Sequence, residues 1–301
     1  MPSTRSPIDI QHAAEDAAAH FPALLLEAER IAHSVAVGLH GRRRAGPGET
    51  FWQHRPYGFG DPVSSIDWRQ SARAADRLYV RQNEWEAAAA AYFWRDGSQS
   101  LNFAYNRHTP TKRERADILI TALTILLSQA GERIGLISER THRRPFQGRT
   151  APERMLEALE IGRFADHSDI PTTNSLPAGT RTVFVSDFFA PLETVERSVA
   201  AFANSGAKGI LLQICDPSEE DFPFEGRVEF RDLESDARLT FGDTTALQSS
   251  YKEKFNLHRE GLVSIARKYG WTFTAHRTDY PPQTVLLSMF TALADLRGWN
   301  S

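Results

Sequence analysis

From residue 87 onward, short apolar segments alternate with longer helical segments, and this alternation constrains the fold more than any other feature of the 301-residue chain. The segments between the apolar ones have the length and apolar spacing of helices. Strands that are apolar throughout are typical of a mainly parallel α/β sheet with helices on both faces. The predicted strands are AAAYFWRD, RIGLISE, TRTVFVSDFF, KGILLQICDP and WTFTAHRTD, and a hairpin of RVEFRDLE and RLTF is predicted before the last of them.

The chain before residue 87 has a different pattern. Apolar residues recur at helical spacing between Ile8 and Leu39, and the Gly- and Arg-rich segment HGRRRAGPGE then predicts a loop. Short extended pieces with aromatic residues follow, from Thr50 to Arg81. We therefore expect an N-terminal helical segment over 1–40, a small β-containing subdomain over 41–86, and the α/β domain over 87–301.

Composition excludes several classes of protein. The net charge of -3 and the pI of about 6.4 do not favour a nucleic-acid partner. Arginine far outnumbers lysine, which we interpret as a bias of composition and not as a sign of binding. No window approaches the roughly 20 consecutive apolar residues of a membrane span, and the N-terminus lacks a signal-peptide pattern. The single cysteine, Cys215, suits a reducing compartment. We expect a cytoplasmic protein in which Cys215 is buried and inert.

Polar side chains follow three of the predicted strands. Asp96, Ser98 and Ser100 come directly after the first strand of the α/β domain, Asp187 follows a later strand, and Asp216 follows the next one. Because the carboxyl ends of parallel strands meet at one edge of the sheet, we expect these groups to converge there. Two interpretations stay open. The residues form a capped turn, with Asp187 as the N-cap of the next helix, or they form half of a metal site.

Two motifs resemble known families. The Asp-x-Ser-x-Ser sequence with the later VSD resembles the von Willebrand factor A fold and its metal-ion-dependent adhesion site. The stretch RPYGFGDPVSSIDWRQSARAADRLYVRQNEWE resembles the signature of the domain-of-unknown-function 58 family, in its short subgroup without membrane helices. The matching positions are Tyr57, Gly60, Asp61, Ile66, Asp67, Trp68, Ser71, Ala72, Arg73, Val80, Arg81 and Glu86.

The resemblance implies a von Willebrand A-like domain and a non-catalytic protein that acts with a MoxR-type AAA+ ATPase in the maturation or remodelling of other proteins. It also implies a site for Mg2+ or Mn2+, in which Ser98 and Ser100 bind the ion directly while Asp96 and Asp187 hold bound water. Such ions prefer hard oxygen ligands. The chain departs from the pattern at the usual threonine ligand, for which Thr172 and Thr173 are the candidates.

Opposite charges are concentrated in the upstream signature. They form either a recognition surface for the ATPase or a client protein, or a buried ion-pair network with Trp68 and Tyr57 as its apolar filling, because buried charges need partners. The candidate partner-binding residues are Arg55, Asp61, Asp67, Arg73 and Arg81.

The leading functional hypothesis is therefore an adaptor protein without catalytic residues, whose client the sequence does not identify. The alternative hypothesis is a metal-dependent hydrolase that uses the edge formed by Asp96 and Asp187. Against the alternative, the sequence has neither a Gly-x-Ser-x-Gly elbow nor a Walker-type phosphate loop.

Overall fold

The structure is a computed structural model, and its elements follow the predicted alternation. The residues it describes are 25–36, 51–58, 63, 66–73, 77–83, 90–138, 145–165, 169–171, 176–177, 179–231, 233, 237–242 and 244–296. Two compact units are formed, one by residues 39–88 and the other by residues 1–38 with 89–301. In chain order the elements are α1 (25–36), β1 (Phe51–Pro56), α2 (Trp68–Ser71), β2 (Tyr79–Asn83), β3 (Ala90–Arg95), α3 (Lys112–Gln129), β4 (Arg133–Leu136), α4 (Ala151–Ala165), β5 (Arg181–Ser186), α5 (Leu192–Asn204), β6 (Lys208–Cys215), α6 (Pro217–Asp221), β7 (Val228–Arg231), β8 (Arg238–Phe241), α7 (Thr245–Lys268), β9 (Thr272–Arg277) and α8 (Pro282–Asp295).

The smaller unit contains β1 and β2, which pair antiparallel with an irregularity between Phe51 and Gln53. The short helix α2 lies between them in the chain. The side chain of Asp67 caps this helix, and its Oδ1 accepts the backbone N–H groups of Arg69 and Gln70 at 3.0 Å each. The family signature therefore folds around a strand pair and a capped helical turn.

The larger unit is built on a parallel sheet with the strand order β4-β3-β5-β6-β9. All five strands were predicted from their apolar runs, so the α/β fold class is confirmed. Successive side chains of a strand point to opposite faces. Phe93 and Trp94, neighbours in β3, are both almost completely buried, which shows that the sheet is covered on both faces.

Helices α5 and α7 pack together over one face of the sheet. The core there includes Trp94 and Phe184 from the strands and Phe202 from α5; the Phe184 ring makes edge-on contacts with both, at centroid distances of 5.9 and 4.9 Å. Helix α3 packs against α4 and α8. Every residue of α3 from Arg115 to Leu127 is buried, so this helix is a central element of the unit.

The strand order places a topological switch point between β3 and β5, because the chain leaves β3 towards β4 and then crosses to β5 on the other side. In open α/β sheets, ligands bind beyond the carboxyl ends of the strands at such a point. Two details were not predicted. Helix α3 begins at Lys112 behind a capping box of Thr111 and Glu114, and α6, with its own capping box of Asp216 and Glu219, follows β6.

Candidate functional site

Asp96 lies directly after β3 and connects the ends of β3 and β5. Its Oδ1 accepts the backbone N–H of Ser98 at 2.7 Å, as the capped-turn interpretation predicted, and its Oδ2 accepts the hydroxyl proton of Ser186 at 2.6 Å. The backbone N–H of Asp96 donates to the Val185 carbonyl at 2.9 Å. Both carboxylate oxygens of Asp96 are therefore engaged inside the protein.

Ser98, Ser100 and Asp187 form a chain of hydrogen bonds at the same edge. The Ser100 hydroxyl donates to Asp187 Oδ2 at 2.7 Å, and the hydroxyl oxygens of Ser98 and Ser100 are 2.8 Å apart. Because a hydroxyl has one proton and that of Ser100 goes to Asp187, Ser98 is the donor to Ser100. The structure thus brings together the four residues that the sequence pointed to.

Asp187 does not cap the following helix. Helix α5 begins at Leu192 with Pro191 at its N-cap position, and Asp187 Oδ1 instead accepts the nearby backbone N–H of Phe189 at 3.3 Å. The N-cap interpretation of Asp187 is therefore wrong. The reason is the extra turn of backbone between β5 and α5, in which Phe188 adopts a positive φ of 54°. Asp187 is left free to face the hydrogen-bonded cluster.

Lys112 completes the cluster, and sequence reasoning missed it. The capped start of α3 places Lys112 at the first helical position. Its ammonium group donates to Asp187 Oδ2 at 2.8 Å and to Glu219 Oε1, from α6, at 2.5 Å. The Lys112 side chain is 1% exposed, against 4% for Asp187 and 14% for Glu219. A buried ammonium therefore joins α3, the end of β5 and α6.

The charges in this cluster shift the pKa values of its members. Burial and the charge of Asp187 raise the pKa of Asp96 to about 6. Burial raises the pKa of Glu219 to about 7, although the Lys112 ammonium acts in the opposite direction. Burial by itself lowers the pKa of Lys112, but the charges and hydrogen bonds of Asp187 and Glu219 outweigh burial and raise it. Lys112 is consequently a permanent cation at neutral pH.

The chemistry of the oxygen groups suits Mg2+ or Mn2+, which prefer carboxylate and hydroxyl ligands. Asp187, however, already pairs with an ammonium, and a divalent ion bound to it would lie beside a fixed buried positive charge. In the part of the chain that the structure describes, no three His, Cys, Asp or Glu side chains are grouped as a metal site. Thr172 and Thr173 lie outside the described residues. The arrangement fits an ammonium and does not fit a divalent ion in addition.

A cavity of about 320 Å³ opens onto the cluster. Beside the acidic and hydroxyl groups, its wall includes Phe189 and Leu233, which are both exposed. The lining residues are Asp96, Ser98, Ser100, Asp169, Ser186, Asp187, Phe189, Ala190, Arg231 and Leu233. The edge therefore combines a polar floor with exposed apolar side chains at its rim.

The same cluster is poorly suited to nucleophilic catalysis. The carboxylate nearest to the Ser100 hydroxyl is that of Asp187, and the Oδ2 atom that accepts this hydroxyl already accepts the Lys112 ammonium as well. Cys215 is buried at the end of β6, and burial raises the pKa of its thiol, which keeps it protonated. The geometry gives no positive support to the hydrolase hypothesis.

The candidate residues of the upstream signature belong to the smaller unit. Asp67 caps α2, as described above, and its backbone N–H donates to the Tyr79 carbonyl at 2.8 Å. In the backbone register of β1 and β2, Arg55 lies opposite Val80 and Arg81 lies opposite His54. Asp61 lies outside the described residues. Asp67 therefore has a structural role, which accounts for part of the signature without reference to a partner.

Trp68 and Arg73 are exposed in this unit, and the Trp68 side chain is 61% exposed. The interpretation of Trp68 as apolar filling is therefore wrong. As the first residue of α2, Trp68 projects from a helical turn of four residues that is too short to bury two faces. Tryptophan side chains are rarely this exposed to solvent, and they are enriched at the centre of binding interfaces.

Comparison with known proteins gives a family and no described activity. The model of a family described as "Protein of unknown function DUF58" matches residues 53–261. Uncharacterized proteins of Mycobacterium bovis and Mycobacterium tuberculosis are 26% identical to this chain over 256 residues, which cover 78% of this chain and 76% of each relative.

Two solved structures resemble this chain weakly. The conserved hypothetical protein BatB of Bacteroides thetaiotaomicron is 14% identical, covers 70% of this chain and 99% of its own, and has a TM-score of 0.41. An aerotolerance-related membrane protein of Bacteroides fragilis is also 14% identical, covers 69% and 99%, and has a TM-score of 0.39. Scores below 0.5 support no statement about function. In the described part of this chain, none of the helices has the length and hydropathy to span a bilayer.

Proposed function

This chain belongs to the DUF58 family, and from that premise we propose that it is a non-catalytic adaptor that acts with a MoxR-type AAA+ ATPase in the maturation or remodelling of other proteins. The class of partner comes from the family resemblance of the signature between Arg55 and Glu86. The proposal that the chain binds rather than catalyses comes from the chemistry of the sheet edge.

The observation that carries the proposal is the open cavity at the switch point between β3 and β5. Its polar floor consists of groups that already satisfy one another, from Asp96 through Ser98 and Ser100 to Asp187. A preformed network of this kind presents a fixed pattern of oxygen atoms to a partner without being primed for a reaction. The exposed rim residues Phe189 and Leu233 add apolar surface that a partner can cover.

The exposed Trp68 supports a second contact on the smaller unit. Arg69 follows Trp68 directly in α2, Arg73 lies just after the end of this helix, and both are also exposed. Tryptophan and arginine are the residue types most enriched among the strongest contributors to interfaces. The sheet edge and the surface formed by Trp68, Arg69 and Arg73 are the two contacts proposed for association with the ATPase.

The test is co-purification with the MoxR-type ATPase encoded in the same genome, in the presence of a non-hydrolysable ATP analogue and Mg2+. Leu233→Asp places a charge in the rim of the cavity and is expected to weaken the association by about tenfold or more. Leu257→Asp makes the same change at an exposed position of α7 that does not line the cavity, and it is expected to have no effect. The proposal would be contradicted if the wild type, Leu233→Asp and Leu257→Asp bound the ATPase equally. It would also be contradicted if the wild type did not bind the ATPase in either the presence or the absence of nucleotide.

A further inference from the structure

Lys112 occupies an unfavourable position for a lysine. It is the first residue of α3, where the helix dipole presents partial positive charge and disfavours a cation. Its side chain is also almost completely buried, and burial of an unpaired charge is costly. A lysine at such a position requires compensating anions, and the structure provides two.

We propose that the Lys112 ammonium is the resident cation of the sheet edge, beside Asp187, where the family resemblance implied a divalent ion. The edge then recognises its partner without a metal. This inference concerns the cation of the site and holds whichever partner binds there. It therefore stands or falls separately from the adaptor function.

The first argument is the hydrogen-bond pattern around Asp187. Its Oδ2 accepts from both the Ser100 hydroxyl, at 2.7 Å, and the Lys112 ammonium, at 2.8 Å. The ammonium thus shares one carboxylate oxygen with a serine of the Asp-x-Ser-x-Ser motif. Its second bond, to Glu219 at 2.5 Å, ties the same cation to α6. A compact cation is coordinated here by oxygen atoms from separate elements of the fold.

The second argument is the identity of the residue. The chain has five lysines against thirty arginines, so arginine is the usual cation of this protein. An ammonium is a compact point charge with three donors, whereas a guanidinium is a planar fork that needs more room. The position in front of Asp187 and Glu219 has a lysine in a chain that otherwise prefers arginine. The ammonium concentrates its single positive charge on one small group, so of the two head groups it is the one that fits a compact cation position.

The third argument is the wall around the ammonium. The aromatic rings of Phe189 and Phe103 lie beside it, with centroids 5.3 and 5.9 Å from Nζ. Aromatic faces attract a cation through their quadrupole but provide no ligand to a metal ion, which retains water where protein oxygens are missing. The surroundings of Nζ therefore suit an organic cation better than a hydrated divalent ion.

The first experiment observes the ammonium directly in the full wild-type chain, labelled with 15N-lysine. The other four lysines are each more exposed than Lys112, so their ammonium protons exchange rapidly with water. A resolved Nζ–H signal that persists at neutral pH is expected for Lys112, and it should survive the addition of Mn2+. Absence of that signal, or its selective loss to paramagnetic broadening at substoichiometric Mn2+, would overturn the proposal.

The second experiment is calorimetric titration of Mn2+ into the wild type, Lys112→Met, and Lys112→Met combined with Asp187→Asn. We expect no saturable binding by the wild type, a gain of saturable binding when the ammonium is removed, and loss of that gain when the Asp187 charge is also removed. Lys112→Gln serves in the same design if the methionine variant does not fold. Saturable binding by the wild type, or no binding by any of the proteins, would overturn the proposal.

Discussion

Replacing Lys112 by methionine measures how much the buried ammonium contributes to the free energy of unfolding. Methionine keeps an unbranched side chain of similar length and removes the charge. Removing one partner of a buried ion pair costs about 3–5 kcal/mol, because the remaining charge stays buried without compensation. Lys112 and its two carboxylate partners are all largely buried. We therefore expect a loss of about this size in urea unfolding at pH 7.

Lys268→Met is the matched control. The Lys268 ammonium lies 2.5 Å from Glu196, the same distance that separates Lys112 from Glu219, but its side chain is 63% exposed. Water and salt screen an exposed pair, and its long side chains lose entropy when they are held together. We expect no measurable loss of stability for this variant. The comparison separates the effect of burial from that of distance.

The pH dependence of the Lys112→Met deficit gives a second check. Glu219 has a pKa of about 7 even beside the ammonium, and without it this pKa rises further. As the pH falls, the folded variant takes up a proton at the unpaired carboxyl, which removes the buried charge. The deficit is therefore expected to shrink as the pH falls from about 9 to about 7 and to stay constant below that, because Glu219 of the folded wild type takes up its own proton near pH 7. This reasoning would be refuted if Lys112→Met lost no more unfolding free energy at pH 7 than Lys268→Met does. It would also be refuted if the stability difference between the wild type and Lys112→Met did not change with pH.

Three further variants test other parts of the structure. Asp96→Asn is expected to raise the free energy of unfolding at pH 7 by up to about 3 kcal/mol, because burial and the Asp187 charge raise the pKa of Asp96 from 3.8 to about 6 and one pKa unit corresponds to about 1.4 kcal/mol. The wild type should lose this contribution as the pH rises from about 4 to about 6, and unfolding curves across that range should show no such loss in the variant. His276→Gln tests a loss of stability at falling pH. Burial and the Arg115 charge lower the pKa of His276 to about 4. The free energy of unfolding of the wild type should therefore decrease by up to about 3 kcal/mol as the pH falls from about 6.5 to about 4. Identical pH profiles for wild type and the His276 variant would count against that assignment. Trp68→Ala should weaken association with the ATPase and leave the unfolding midpoint unchanged, and a shift of the midpoint would show that Trp68 supports the fold.

Much of the fold could be predicted because the information is local. The strands β3, β5 and β6 are short apolar runs, and each is followed immediately by an aspartate, Asp96, Asp187 and Asp216 respectively. In a parallel sheet such ends converge whatever the details of the loops. The meeting of Ser98 and Ser100 with Asp187 needed only that topology, so the sequence was sufficient to name these residues.

Lys112 could not be recognised because its role depends on contacts distant in sequence. It lies 75 residues from Asp187 and 107 residues from Glu219, and in the chain it looks like an exposed lysine at the start of a helix. Two local signals pointed part of the way. The capping box of Thr111 and Glu114 marks the start of α3, and that of Asp216 and Glu219 marks the start of α6, but neither was recognised in the sequence.

Trp68 was misjudged for a related reason. A tryptophan between charged residues suggests apolar filling, because aromatic side chains are buried in most proteins on average. Its exposure follows from the short length of α2, which offers no second face to cover it. Burial of a single residue depends on tertiary packing, which pattern and composition do not report.

The most direct test of the account is hydrogen–deuterium exchange of the wild-type chain, alone and with the MoxR-type ATPase and nucleotide. On binding, we expect slower amide exchange at the carboxyl edge of the sheet, in residues 96–103 and 187–191, which surround the cavity and Lys112. The loops that precede β4 and β6 at the opposite edge, residues 130–132 and 205–207, should be unchanged. Slower exchange at those loops, with none at the carboxyl edge, would contradict the claim that this edge is the recognition surface.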